Sequence, residues 1–262
     1  MSEHALPALY AVLVWWFSTG VILYLDGRPR WTFRWSMLGA TALLGVAAYG
    51  LVTSVTDTSV AGAYTAFTSA LAVWGWHEMA FLMGFVTGPR RSPLPEGCTG
   101  RRRFVLAAQA VIHHELAIAA TVVLVVALAW GEPNQLGAWT FVALWLLRLS
   151  AKLNLFLGVP NTAEAMLPEH LRYLGSYFGK RPMNALFPAS AAASTVAAIA
   201  LLAEAALAGP GAPAASGAVG LTLLGTLVAL GALEHGFFVL PFPAETLWTR
   251  WARPAAAPTT TR

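Results

Sequence analysis

The sequence predicts an all-α, polytopic membrane protein: a bundle of about seven transmembrane helices, N-terminus outside and C-terminus cytoplasmic. Three observations carry that prediction. The chain is 57% hydrophobic and only 11% charged, against about 25% charged residues in ordinary soluble domains, and its mean hydropathy is +0.62. Several apolar stretches reach the roughly 18 residues that cross a bilayer as a helix. The basic residues concentrate in alternate loops. Because the apolar runs are continuous, an outer-membrane β-barrel is excluded.

Taken in order, the spans are expected at about residues 6–25, 35–55, 61–87, 104–130, 136–159, 185–207 and 218–242. The first follows Met1-Ser2-Glu3-His4, which lacks a basic leader region and a small-residue cleavage site, so it reads as a retained span. His4 reads as a solvated terminal residue. The second is rich in Gly and Ala, which lets helix backbones approach closely in lipid. Between spans three and four, residues 88–103 hold Pro89, Pro93, Pro95 and five arginines. Residues 160–184 form the longest polar segment, in which Pro168 opens a short helix with Leu171, Leu174 and Phe178 on one face. That segment is expected to lie on the membrane surface. Trp31, Trp35, Trp130, Trp139, Trp248 and Trp251 mark interface belts. Residues 1–251 make one transmembrane domain, and 252–262 a flexible tail rich in Pro and Thr.

Every Lys and Arg except Arg148 and Lys152 falls on loops one–two, three–four and five–six or in the C-terminal tail. Under the positive-inside rule these sites face the cytoplasm. The net charge of +4 and pI near 9.6 therefore reflect topology, and no nucleic-acid partner is implied; the expected surroundings are membrane lipid. Cys98 is the only cysteine, so there is no intrachain disulfide and no thiolate metal cluster.

Within the spans a set of ionisable residues stands out, because such groups are expensive in hydrocarbon and mark functional sites by default. His113-His114-Glu115 interrupt the fourth span, His77-Glu78 the third and Glu234-His235 the seventh, while Arg148 and Lys152 share one face of the fifth. Counting about 1.5 Å per residue from the cytoplasmic end puts all of them roughly 12–18 Å deep. Glu204, on the far half of span six, does not belong to this layer.

Histidines and glutamates from several helices are the material of membrane metal centres. His77, Glu78, His113, His114, Glu115, Glu234 and His235 are the candidate ligands, for one divalent ion such as iron or zinc. The Glu-x-x-His spacing that places both ligands on one face is absent. So is the zinc-protease pattern, since Phe81 and Ile118 stand where the second histidine is needed. Charge counting tempers the expectation. Three glutamates against Arg148 and Lys152 leave one negative charge, which one protonated histidine settles without any metal. One ion or none is easier to accommodate than two, and a metal-free polar or proton-relay network stays open beside the metal site. Arg148, Lys152, Asn154, Glu164 and His170 are candidate substrate-binding residues. Arg148 and Lys152 either pair with the glutamates or grip an anionic or quinone-like group. Glu164 and His170 either form a surface patch or belong to a lid. Gln109, one turn before His113, is a candidate orienting residue.

Trp76-His77-Glu78-Met79-Ala80-Phe81, His113-His114-Glu115-Leu116, Lys152-Leu153-Asn154 with Gly158-Val159-Pro160-Asn161, Leu167-Pro168-Glu169-His170-Leu171 with Tyr173 and Ser176-Tyr177-Phe178, and Glu234-His235 together resemble the PuhE family. These are photosynthetic complex assembly proteins encoded near the reaction-centre H-subunit gene of purple bacteria. The resemblance covers nearly the whole chain. It implies a multi-pass protein of the inner membrane, acting in biogenesis of reaction-centre and light-harvesting complexes, with photosynthetic subunits or bacteriochlorophyll as partners. The family supplies no catalytic residues.

Three functions follow for comparison. An assembly or pigment-supply factor uses the layer structurally or as a ligand set. A metal-dependent oxidoreductase or hydroxylase acts there on a quinone, carotenoid or tetrapyrrole. An ion pathway is weakened because the outer half of the bundle holds almost no ionisable groups.

Overall fold

The computed structural model describes residues 2–162, 164–209, 213 and 217–240. Trp248, Trp251, the end of the expected seventh span and the tail 252–262 lie outside the described residues. All regular structure among the described residues is helical. Seven α-helices follow one another: α1 (Ser2–Asp26), α2 (Phe33–Ser54), α3 (Val60–Leu82), α4 (Gly100–Ala129), α5 (Leu136–Leu157), α6 (Leu186–Leu207) and α7 (Ala218–Phe237). Short 3-10 helices occupy Arg30–Thr32, Glu164–Met166 and Glu169–Tyr177.

Six of the α-helices are long and apolar enough to cross a membrane; α3 is not among them. Its Ser, Thr, Tyr, Trp, His and Glu residues fit its place in the bundle. Of its 23 residues 13 are buried, against five of 22 in α2 and four of 22 in α6. It packs on α1, α2, α4, α5 and α7, so protein rather than hydrocarbon surrounds its Ser69, His77 and Glu78 side chains. The opposite holds for the outer helix faces, where Phe17, Leu38, Val46, Leu124, Val196 and Ile199 point outward. Exposed apolar surface on that scale belongs against lipid. Trp31, Trp35, Trp130 and Trp139 are also exposed.

Hydrogen bonds define the two ends of the bundle. At one, the Asn134 amide donates to the Val55 carbonyl at 2.9 Å and its side chain to the Asp57 carbonyl at 2.8 Å. His4, expected to be solvated, is 3.2 Å from the Thr222 hydroxyl at this same end. At the other end the loops before α2, after α3 and after α5 meet.

The segment 160–184 differs from its expected form. Pro168 does open a helix, but a 3-10 helix of nine residues, and it packs under the bundle. Three residues per turn bring positions i, i+3 and i+6 into line. Leu171, Leu174 and Tyr177 are therefore the buried row, whereas Phe178 lies beyond it. They pack on Phe81 and Ala110. Arg103 of α4 clamps the segment by donating to the carbonyls of Phe156 (2.6 Å) and Tyr177 (2.7 Å). The Tyr177 hydroxyl donates to the Ser92 carbonyl at 2.9 Å while accepting from Arg90 Nε at 2.5 Å.

The third helix ends five residues before its expected limit. Gly84, at φ +80°, takes the left-handed conformation that terminates helices, and the Phe85 and Val86 amides turn back to the Ala80 carbonyl. The chain then runs against the side of α4. The His114 amide donates to the Thr87 carbonyl at 3.0 Å, and the Arg90 amide to the Gln109 carbonyl at 3.2 Å. Irregular backbone beside a transmembrane helix is tolerated where protein encloses it, and Thr87 and Gly88 are both buried. A Cβ on Gly88 would collide with the Gln109 carbonyl oxygen and the Ala110 backbone. Gly88→Ala is accordingly expected to destabilise the fold by about 1–3 kcal/mol, seen as a lower unfolding midpoint in detergent. Gly39→Ala, with open space around it, should leave the midpoint unchanged or higher. Equal midpoints for the two variants would show that the approach at Gly88 is not tight.

Candidate functional site

Helices α3, α4 and α5 bring the charged residues of the layer together as pairs. Arg148 and Lys152 are one turn apart on α5, so both project toward the same neighbours. Arg148 Nη2 donates to Glu78 Oε2 at 2.9 Å, and Lys152 Nζ donates to Glu115 Oε1 at 2.5 Å. The Glu78 side chain is 11% exposed and the Lys152 and Glu115 side chains about one-fifth, while that of Arg148 is 40% exposed. Glu234 lies on the exposed side of α7, within electrostatic reach of Arg148 and Glu78. It has no direct salt bridge among the described residues. Pairing removes most of the cost that each charge would carry alone in a low-dielectric interior.

The layer sits closer to the helix ends than residue counting suggests. Since α3 stops at Leu82, His77 and Glu78 are only about 6–8 Å from its end. The α4 triplet lies much further from Gly100, because the first turns of α4 extend past the end of α3; one side of them packs on the loop after α3 and the 3-10 helix Glu169–Tyr177 while Phe104 and Val105 stay exposed.

The four histidines meet different fates. On α3, His77 is buried, and its Nε2 lies 3.0 Å from Thr121 Oγ1. That hydroxyl already donates to the Ala117 carbonyl at 3.0 Å, so the imidazole N–H is the donor to Thr121. His235 Nδ1 lies 2.8 Å from the Gly231 carbonyl, which can only accept. Nδ1 is therefore the donor to Gly231, and Nε2 lies 2.9 Å from Ser150 Oγ. His235 thus ties α7 to α5. The exposed side of α4 carries His113, which does not join the layer; adjacent helical residues are about 100° apart, so it cannot share the inward direction of His114. His114 is 1% exposed, lies 4.6 Å from the Phe81 ring, and has no hydrogen-bond partner on either nitrogen. Its Nε2 faces Glu78 Oε1 at 4.0 Å, and that oxygen is likewise without a partner.

Asn154 belongs to a second polar chain. Its Nδ2 donates to the Ser150 carbonyl (3.0 Å) and to Ser190 Oγ (2.9 Å), and its Oδ1 accepts from Asn184 Nδ2 at 3.0 Å. Asn184 Oδ1 in turn accepts from the amides of Leu186 and Phe187, capping α6. The sequence reading passed over Asn184, although an Asn just before an apolar run is a helix-start signal. Ser150, Thr121 and Ser190 were missed too, since a lone hydroxyl in an apolar helix carries no pattern.

Of the other expected site residues, Glu164 is exposed, and its carboxylate packs over Gly175. His170 packs against Gly84 and lies 5.9 Å from the Phe33 ring. The Gln109 side chain is exposed; the carbonyl of this residue makes the contact described above. For the metal expectation, no group of three or more His, Cys, Asp or Glu side chains is placed to hold an ion among the described residues. Arg and Lys hold two of the carboxylates, and Ser and Thr hold two of the imidazoles.

Removing one member of a buried pair leaves the other uncompensated, at about 3–5 kcal/mol. Arg148→Leu and Glu78→Leu are each expected to lower the detergent unfolding midpoint by several degrees. The double variant is expected to recover most of that loss. A double variant as unstable as the sum of the singles would mean that the pair is not coupled.

The chain matches the family described as protein of unknown function, DUF3623, over residues 1–260. It is 40% identical over 259 residues to a Rhodobacter capsulatus protein described as an uncharacterized 30.4 kDa protein in the puhA 5′ region, covering 97% of this chain and 93% of that relative. No solved structure matches the chain. With a match that runs nearly end to end, this chain belongs to the DUF3623 family.

Proposed function

We propose that this chain is a seven-crossing protein of the inner membrane, N-terminus outside and C-terminus cytoplasmic, that serves the biogenesis of photosynthetic reaction-centre and light-harvesting complexes. The observation that carries the biological reading is the relative in the puhA 5′ region; the resemblance to the PuhE family points the same way. The orientation is supported by charge. The Arg and Lys residues of 28–34, 90–103 and 172–181 gather at one end of the bundle, and loops 55–59 and 130–135 at the other end have none. Helix α3 counts as the seventh crossing because its two ends lie at opposite ends of the bundle.

For an assembly factor, the layer needs no cofactor to be stable. The pairs Glu78–Arg148 and Glu115–Lys152 join α3, α4 and α5 in one relative register, and His235–Ser150 adds α7. Enclosure of His114 against Phe81 leaves it no room for a tetrapyrrole macrocycle, so a bacteriochlorophyll partner fits the apolar outer faces of the bundle better than this imidazole.

A second reading, a metal-dependent oxidoreductase or hydroxylase acting on a quinone, carotenoid or tetrapyrrole, draws on one observation. His114 and Glu78 Oε1 face each other without partners. Two donors are fewer than the four of a zinc site, so an iron or zinc ion there would take its remaining ligands from substrate, water or side chains that move.

Deleting the gene in its phototrophic host separates the readings. The assembly role predicts weaker near-infrared bacteriochlorophyll bands in the membranes, restored by the wild-type gene. Normal complex levels would remove it. On the metal side, elemental analysis of detergent-purified protein decides: stoichiometric metal lost in His114→Ala supports the enzyme, and metal-free protein in a stable wild-type preparation eliminates it.

A further inference from the structure

At the Arg-rich end of the bundle, two adjoining cavities of about 230 Å³ and 340 Å³ share Arg30 and Gly84. The smaller is lined by Thr87, Arg91, His170 and Tyr173 in addition to those two. Three polar atoms on its lining residues, Thr87 Oγ1, His170 Nε2 and Tyr173 Oη, are buried without a hydrogen-bond partner, and Thr87 as a whole is 2% exposed. The Thr87 and Tyr173 hydroxyls lie near each other without completing a bond. Native interiors leave few polar groups in that state, and each such group calls for an explanation.

The charged side chains that line the two cavities are all arginines. Arg30 and Arg91 line it, and Arg34 stands on the wall of its neighbour. None of the three forms a salt bridge with a carboxylate among the described residues; Arg91 reaches only the Gly84 carbonyl, at 3.3 Å. Guanidinium groups without carboxylate partners, converging with two hydroxyls, are the recognition chemistry of a phosphate. The larger cavity is apolar along Trp31, Phe33, Met83 and Phe85. Trp31 is 69% exposed and Phe85 52%, so this wall opens at the bundle surface where lipid lies.

The geometry points to a binding site for a phosphate group at this end of the bundle, between Arg30, Arg91, Thr87 and Tyr173. The apolar wall beside it suits the chain of an anionic phospholipid. The site is separate from the Glu78–Arg148 layer, and it explains why the loop after α3 and the 3-10 helix Glu169–Tyr177 bring unmatched polar atoms together. Gly84 contributes through its bareness: a Cβ there would come within 3.1 Å of the His170 ring and crowd the wall shared by both cavities.

Binding to the full chain in detergent tests the inference, with phosphatidylglycerol, phosphatidylcholine and inorganic phosphate as probes. Lipid retention by native mass spectrometry and thermal protection are the readouts. Phosphatidylglycerol is expected to bind and protect better than phosphatidylcholine. Arg30→Gln together with Arg91→Gln is expected to weaken it about tenfold or more, as lost charge-assisted hydrogen bonds imply. Tyr173→Phe and Thr87→Val remove single hydroxyls with little change of shape, and each should weaken binding while the lipid-free protein unfolds near its normal midpoint. Protection by phosphatidylglycerol with no effect of inorganic phosphate identifies a lipid headgroup as the source; equal protection by inorganic phosphate identifies a free anion. Phosphatidylglycerol and inorganic phosphate both failing to exceed phosphatidylcholine, or undiminished binding by the folded arginine and hydroxyl variants, would overturn the site.

Discussion

The approach of the 84–90 chain to the side of α4 is the contact on which much of this structure depends. A transmembrane helix normally keeps its backbone hydrogen bonds to itself, because hydrocarbon offers no alternative partner. Here the His114 amide and the Gln109 carbonyl reach out to the loop, and only a residue without a Cβ fits at position 88. This contact holds the projecting first half of α4 against the end of α3. It buries Thr87 and creates the floor on which the 3-10 helix Glu169–Tyr177 packs. It also sets the level of His114 relative to Glu78, so loop geometry and the polar layer are parts of one arrangement.

The layer itself follows from electrostatics in a medium that solvates charge poorly. Glu78 and Glu115 sit on two helices, Arg148 and Lys152 on a third that lies against both. An i, i+4 pair of cations on α5 can satisfy two carboxylates only if α3 and α4 flank it in one relative register. The ion pairs therefore act as specificity elements at least as much as stabilisers, since replacing a buried pair with well-packed apolar residues is often neutral. His77 and His235 extend the same logic with hydroxyl partners. His114 and Glu78 Oε1 depart from it, facing each other at 4.0 Å without hydrogen-bond partners.

The polar interior and the arginine-lined cavity lie at two different depths. Within the bundle, Glu78 and Glu115 are each matched by a cation of α5. At the Arg-rich end, Arg30, Arg34 and Arg91 have no carboxylate partner among the described residues and line two cavities next to exposed aromatic surface. Such an arrangement lets a membrane protein hold a headgroup without disturbing its internal pairs.

The sequence alone determined the helical membrane class, most helix positions within a few residues, and which residues would be costly to bury. Those properties follow from local composition and from Arg and Lys placement. The i, i+4 spacing of Arg148 and Lys152 also made their pairing with glutamates legible in advance. Tertiary structure decided what local pattern does not encode. His113 and His114 are neighbours in a motif, yet only one points inward, because helix rotation is set by packing. The row Leu171, Leu174 and Tyr177 replaced the expected face because the segment winds with three residues per turn. The third helix stopped at Leu82, and the chain beyond it returned against α4, because Gly88 permits a backbone approach that no hydropathy pattern records. Residue types capable of metal ligation are visible in sequence, but which partners meet them depends on which helices touch.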